Sequence, residues 1–89
     1  MTNQTDDIAA RIRAFILNDI LRNPDFPLTD DEPLITGGLI DSHALVEIAV
    51  FLEREFDVVV PDTELTPEHL DSVADMAQRV RREHAQGAG

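Results

Sequence analysis

The sequence predicts an all-α fold: a four-helix bundle of three main helices and one short one, with a long loop between the first and second helices. Three observations carry this. Apolar residues recur at steps of three and four in three separate windows, each the mark of one buried helix face. The stretch from Asn23 to Ile40 contains Pro24, Pro27, Pro33 and the adjacent Gly37 and Gly38, which exclude a regular helix or a central strand. The one strand-like run, Asp57-Val58-Val59-Val60-Pro61, is short and has no partner run elsewhere.

In the first window Ile8, Ile12, Phe15, Ile16 and Ile20 repeat at helical spacing. Thr5 or Asp6 can cap this helix, and it should stop near Leu21 or Arg22, because the residue before Pro24 is pushed out of the α region. The connection that follows is long for a small domain, so its apolar residues must dock: Phe26, Leu28, Leu34, Leu39 and Ile40 are available. Its acidic run Asp30-Asp31-Glu32 lacks the alternating spacing and closing glutamate of a calcium loop, and reads as solvated.

The second helix is expected from Ser42 to about Phe56, with Leu45, Ile48, Ala49, Leu52 and Phe56 inward and Glu47, Glu53 and Arg54 outward. Asp57 to Val60 should be an extended loop that tucks Val58 or Val60 into the core, with Leu65 as a further anchor. Thr66-Pro67-Glu68 has the form of a cap, a proline at the first helical position and an acid in the first turn, so a short third helix is expected there. The fourth starts at Asp71 or Ser72 and buries Val73, Met76, Ala77 and Val80, with Arg79, Arg81 and Arg82 toward its negative end. Residues 1–5 read as a flexible lead, 6–83 as one domain and 84–89 as a flexible tail.

Composition narrows the function classes. Eighty-nine residues make one domain. With no cysteine there is no disulfide, thiolate metal site or cysteine nucleophile. No apolar run is long enough to span a bilayer, and cytoplasmic residence is expected. The formal charge is −11 and every cation is arginine, which disfavours nucleic acid and anionic lipid and favours proteins with basic patches.

The two serines, Ser42 and Ser72, both follow aspartate. If Asp41 is the N-cap of the second helix, its carboxylate takes the capping bond and leaves the Ser42 hydroxyl unspent. A hydroxyl at a helix N-terminus faces unpaired amides and the positive dipole end, an environment that suits a phosphate ester. Ser72, directly before Val73, reads as a cap or first-turn residue. Neighbouring residues on a helix diverge, so Ser42 and His43 do not form a nucleophile–base pair, and no nucleophile elbow surrounds them. Three scattered histidines, His43, His69 and His84, have no metal-ligand spacing. No enzyme is expected.

The run Gly38-Leu39-Ile40-Asp41-Ser42, followed by a helix and later by Phe56 to Val73, resembles the acyl carrier and peptidyl carrier protein family over about Ile8 to Val80. His43 departs from the leucine usual in that family. The resemblance implies a covalent phosphopantetheine arm, derived from coenzyme A, on Ser42, holding acyl, aminoacyl or peptidyl groups as thioesters. It implies a phosphopantetheinyl transferase and loading, condensing or tailoring enzymes as partners of a monomer, met through Asp41, His43, Val46, Glu47 and Glu53, with Ala44 and Val50 as added apolar contact. The histidine leans the reading toward a specialised pathway, polyketide, nonribosomal peptide or related. The alternative is an acidic helical adaptor that binds a basic protein without any prosthetic group.

Overall fold

The computed structural model describes the backbone of residues 4–87 and the side chains of residues 8–84. Among these residues the chain is all-helical, with no strand: α1 (Gln4–Phe15), α2 (His43–Phe56) and α3 (Val73–Gly87). Helix α1 packs on α3. The apolar faces of all three helices meet in one core, to which Ile12, Ile16, Leu45, Ile48, Leu52, Val73, Met76 and Val80 contribute fully buried side chains. Ala49, expected inward, is half-buried, and Ala44 is buried in its place.

Helix α1 does not end as an ordinary helix. Ile16–Ile20 winds as a π turn, with the Leu21 amide donating to the Ile16 carbonyl at 2.8 Å. This widening is absent from the 3.6-residue pattern, and it helps seat the dense run Phe15, Ile16 and Leu17. Phe15 then stacks on Phe51 of α2 with ring centroids 4.3 Å apart. Arg22, at φ 55°, turns the chain out of the helix just before Asn23-Pro24, where the stop is expected.

Residues 21–42 form turns and no helix. Leu28, Leu34 and Ile40 are buried and Phe26 and Leu39 partly so, which is the docking the segment needs. Its polar atoms are tied at both sides. Arg13 of α1 pairs with the Asp30 carboxylate, and the Asp30 carbonyl accepts from the Ala74 amide of α3 at 2.8 Å. Further along, the Leu34 amide donates to the Asp71 carbonyl at 2.6 Å. The Asp71 carboxylate accepts from the Ile35 amide (2.7 Å), the Thr36 amide (3.1 Å) and the Thr36 hydroxyl (2.5 Å).

Helix α2 closes with a left-handed cap: the Asp57 amide donates to the Glu53 carbonyl at 3.0 Å and the Val58 amide to the Leu52 carbonyl at 3.4 Å. Asp57 occupies the left-handed position, at φ 59°, that glycine usually takes. Val58 and Val60 are buried and Val59 exposed, as an extended segment requires. The short third helix expected from Thr66 is not an α-helix. Asp62–Glu64 forms a 3-10 turn, and a second turn follows in which the His69 and Leu70 amides both donate to the Thr66 carbonyl (3.0 and 2.9 Å). Leu70 is buried and Asp71 is already committed to the loop, so the turn has no room to propagate.

Two side chains on α3 have roles other than those expected. Arg79 does not sit at an exposed helix end: it is buried, pairs with Glu64 and Glu83, and ties the 3-10 turn to α3. His84, placed in the tail, lies on α3, and its Nε2 donates to the Phe56 carbonyl at 2.7 Å at the end of α2. The expected lead and tail fall partly outside the described residues. Where described, residues 4–5 and 84–87 are helical.

Two stability outcomes follow. Burial pushes the Asp71 carboxyl up, but the Thr36 hydroxyl and the amides of Ile35, Thr36 and Leu34 outweigh it and hold it below the ordinary carboxylate value. The unfolded chain therefore binds more protons at this site. The contribution is present above the unfolded pKa of about 3.9 and is lost as pH falls through the lowered folded value. Asp71→Ala should cost about 1.5–3 kcal/mol in urea unfolding at pH 7, and the gap from the parent should narrow at pH 3; a constant gap would show that the carboxylate's charge is not what the loop reads. Asp57→Gly should gain about 0.5–1 kcal/mol by relieving the left-handed backbone, seen as a higher urea midpoint at unchanged slope.

Candidate functional site

The site is built where the long segment enters α2. The Leu39 and Ile40 amides both donate to the Leu34 carbonyl, at 2.9 and 3.0 Å, which closes residues 34–40 into a loop. Within it the Gly38 amide donates to the Ile35 carbonyl at 3.0 Å, and Gly38 takes φ 79°. Gly37 is required for another reason: a Cβ there would lie 2.3 Å from the Pro33 carbonyl oxygen. The glycine pair thus permits one tight conformation.

Ile40 anchors the end of this loop in the core, and the next residue caps α2. The Ala44 amide donates to Asp41 Oδ1 at 3.1 Å. Ser42 follows with helical dihedrals (φ −67°, ψ −21°), and its carbonyl accepts from the Leu45 amide at 3.1 Å. Its side chain is exposed and makes no capping bond. Ser72 is the opposite case. It is buried, and its Oγ accepts from the Asp75 amide at 3.1 Å while the Asp75 carboxylate accepts from the Asp71 amide. The two Asp-Ser pairs thus divide the work differently: Asp41 caps and Ser42 is left over, whereas Ser72 caps and Asp71 holds the loop.

Along α2 below Ser42, Val46 and Val50 are 48% and 47% exposed, on one stripe with the serine at steps of four. Asp41, His43, Glu47 and Glu53 are exposed around that stripe. Ala44 is buried and unavailable for surface contact, contrary to the expectation. His43 makes no hydrogen bond to Ser42 among the described residues.

Sequence reasoning missed the far wall of the site. The π turn brings Asp19 and Arg22 opposite Asp41, His43 and Glu47 across a cleft of ≈ 410 Å³. A second groove of ≈ 510 Å³ continues from Asp19 and Glu47 down to Phe15, Val46, Val50 and Phe51. The only signal for these residues was their place at the end of the first helix, which does not say what they face. No group of three or more His, Asp or Glu side chains among the described residues could hold a metal ion.

A small helical domain that leaves one serine hydroxyl unspent at the head of a helix, beside an exposed acidic face, has the make-up of a carrier domain. Residues 11–80 match the family model described as the phosphopantetheine attachment site, and the chain belongs to that family. It is also 34% identical over 89 residues to Aminoacyl carrier protein 2 of Bradyrhizobium diazoefficiens, covering all of both chains. The family's prosthetic group is a covalently attached phosphopantetheine, and an exposed, unbonded hydroxyl fits such an ester. Members of this kind act as carriers and meet phosphopantetheinyl transferases and biosynthetic enzymes. Among the described residues no helix is long and apolar enough to cross a membrane.

The contrast between the serines has a stability consequence independent of any attached group. Ser72→Ala should cost about 0.5–2 kcal/mol, the usual loss for an N-cap. Ser42→Ala should stay within about 0.5 kcal/mol of the parent. Parallel urea unfolding of the two variants checks this, and equal losses would show that Ser42 also works as a cap.

Proposed function

We propose that Ser42 carries the phosphopantetheine and that the chain shuttles an acyl or aminoacyl group between enzymes of a specialised biosynthetic pathway. The observation that supports this most is the unspent Ser42 hydroxyl beside a Ser72 hydroxyl already used as a cap. Bound there, the arm supplies a terminal thiol, a group the cysteine-free chain lacks, on which the cargo is held as a thioester. The name of the relative with which the chain shares 34% of its residues favours an aminoacyl cargo.

The chain's own part is to present the serine, not to do chemistry on the cargo. A tethered group reaches each partner at an effective concentration set by the arm rather than by bulk concentration. Asp41, Glu47 and Glu53 offer negative charge and Val46 an apolar centre to the transferase and to the loading and tailoring enzymes, with His43 at the rim. Exposed charges contribute little each to affinity, about 0.2–1 kcal/mol, and more to encounter rate and partner choice. The protein works as a monomer in this reading.

Incubated with coenzyme A and a broad-specificity phosphopantetheinyl transferase, the protein should gain the mass of one arm. Ser42→Ala should gain none, and Ser72→Ala should still be modified once folded. A Ser42→Ala protein that gains the arm would move the attachment elsewhere; a parent protein that never gains it, in the presence of a positive control, would favour an acidic adaptor.

A further inference from the structure

The geometry points to Asp71, at the head of α3, as a positioning residue for Ser42: it holds the 34–40 loop in the one conformation that presents the serine to its modifying enzyme. This rests on the proposed attachment at Ser42. Asp71 does not touch the serine. Its carboxylate accepts from the Ile35 and Thr36 amides and the Thr36 hydroxyl, and its carbonyl from the Leu34 amide. Those three residues are the first side of a closed loop whose other side, Leu39 and Ile40, bonds back to the Leu34 carbonyl. Asp41 and Ser42 come next. A displacement at Leu34 therefore reaches the cap of α2 through two hydrogen bonds and two residues.

The arrangement is specific to the carboxylate. Thr36 is exposed and Ile35 only partly buried against the core, so apolar burial holds this corner of the loop on one side only. Three donors converge on one side chain from a different element, and no second side chain among the described residues bonds the Ile35 or Thr36 amides. The anchor itself is braced, since the Asp71 amide donates to Asp75 Oδ2 and Asp75 is fixed in turn by Ser72. Without the carboxylate, the Leu34 and Ile40 side chains keep their places in the core and the Leu34 amide keeps the Asp71 carbonyl, but residues 35–38 sample other turns and loosen the Leu39 and Ile40 bonds to the Leu34 carbonyl that set the entry to Asp41. An enzyme that binds one of those conformations sees its apparent affinity reduced by the fraction of time that conformation is occupied.

The expected signature is a split in kinetics. With the full chain in its unmodified form, coenzyme A and a phosphopantetheinyl transferase, Asp71→Ala should raise KM for the protein roughly five- to twentyfold and leave kcat within about twofold, because the cost is one of ordering before binding. Thr36→Val, which removes one of the three donors from an exposed residue and should fold without difficulty, should move KM in the same direction by a smaller factor. Amide hydrogen exchange should quicken at Leu39 and Ile40 in both variants while the amides of α1 and the middle of α3 hold their protection. Quickened exchange with unchanged KM would make the bonds purely structural and overturn the inference, as would unchanged exchange in both variants. A parent protein that takes no arm at all would bring down the attachment reading and this one together, whereas a modified parent with kinetically silent variants would bring down this one alone.

Discussion

An amide in the first turn of a helix needs an acceptor, and at α2 Asp41 supplies it to Ala44 with both its carbonyl and its carboxylate, each at 3.1 Å, the side-chain bond being the cap. What is distinctive about Ser42 depends on that bond. Had the serine been drawn into the capping role, its hydroxyl would share a proton donor with the backbone and lie against the helix end. At α3 this is what happens: Ser72 receives the Asp75 amide and is buried. The dipeptide is the same in both places, so the difference lies in which of the two residues supplies the capping oxygen. At α2 the aspartate does, and at α3 the aspartate is released to serve the neighbouring loop.

The second constraint is the segment between α1 and α2. More than twenty residues without a helix or strand expose many backbone donors, and a small domain cannot leave them unsatisfied next to its core. The solution is to borrow hydrogen-bond partners from the start of α3 and the residues just before it. Ala74 lends its amide to the Asp30 carbonyl, and Asp71 takes four donations from Leu34, Ile35 and Thr36. The start of α3 is thus both a helix cap and a binding site for the loop. Buried Leu28, Leu34 and Ile40 supply the apolar part of the same attachment.

Much of this was legible in the chain. The inward faces of α2 and α3 follow from apolar spacing, and the capping role of Asp41 follows from its place before an apolar-periodic run. The docking of Leu34 and Ile40 follows from the need to bury something in a long loop. What was not legible depends on residues far apart in sequence. Asp71 could be placed only as a possible start of the last helix, because its loop partners stand 35 and 36 positions away and no local pattern links them. The π turn was hidden because a 3.6-residue template absorbs a single extra residue without complaint. The expected helix at Thr66 failed because a good N-terminal signal says nothing of how much chain remains before the next element. His84 was read as tail because its partner, the Phe56 carbonyl, is a backbone atom with no sequence signature.

The arginines show how the internal structure shapes the exposed face. Arg11 pairs with Glu55 at 3.3 Å and lies over the Phe56 ring, Arg13 pairs with Asp30, and Arg79 is buried between Glu64 and Glu83. Three of the seven cations are thus spent tying elements together. The acids they neutralise lie on loops, on the last turn of α2 and on α3, not beside the serine. Asp41, Glu47 and Glu53 keep their charge toward solvent, with Arg54 as the nearest cation on the same helix. An exposed acidic face of this kind is screened by salt over about 8–10 Å, so it steers a basic partner at close range without holding it fast. On the proposed reading that is the useful regime. A protein that must hand cargo from one enzyme to the next gains from a firmly placed serine and a weakly held surface; on that reading Asp71 and Asp41 would supply the first, and the exposed carboxylates of Asp41, Glu47 and Glu53 the second.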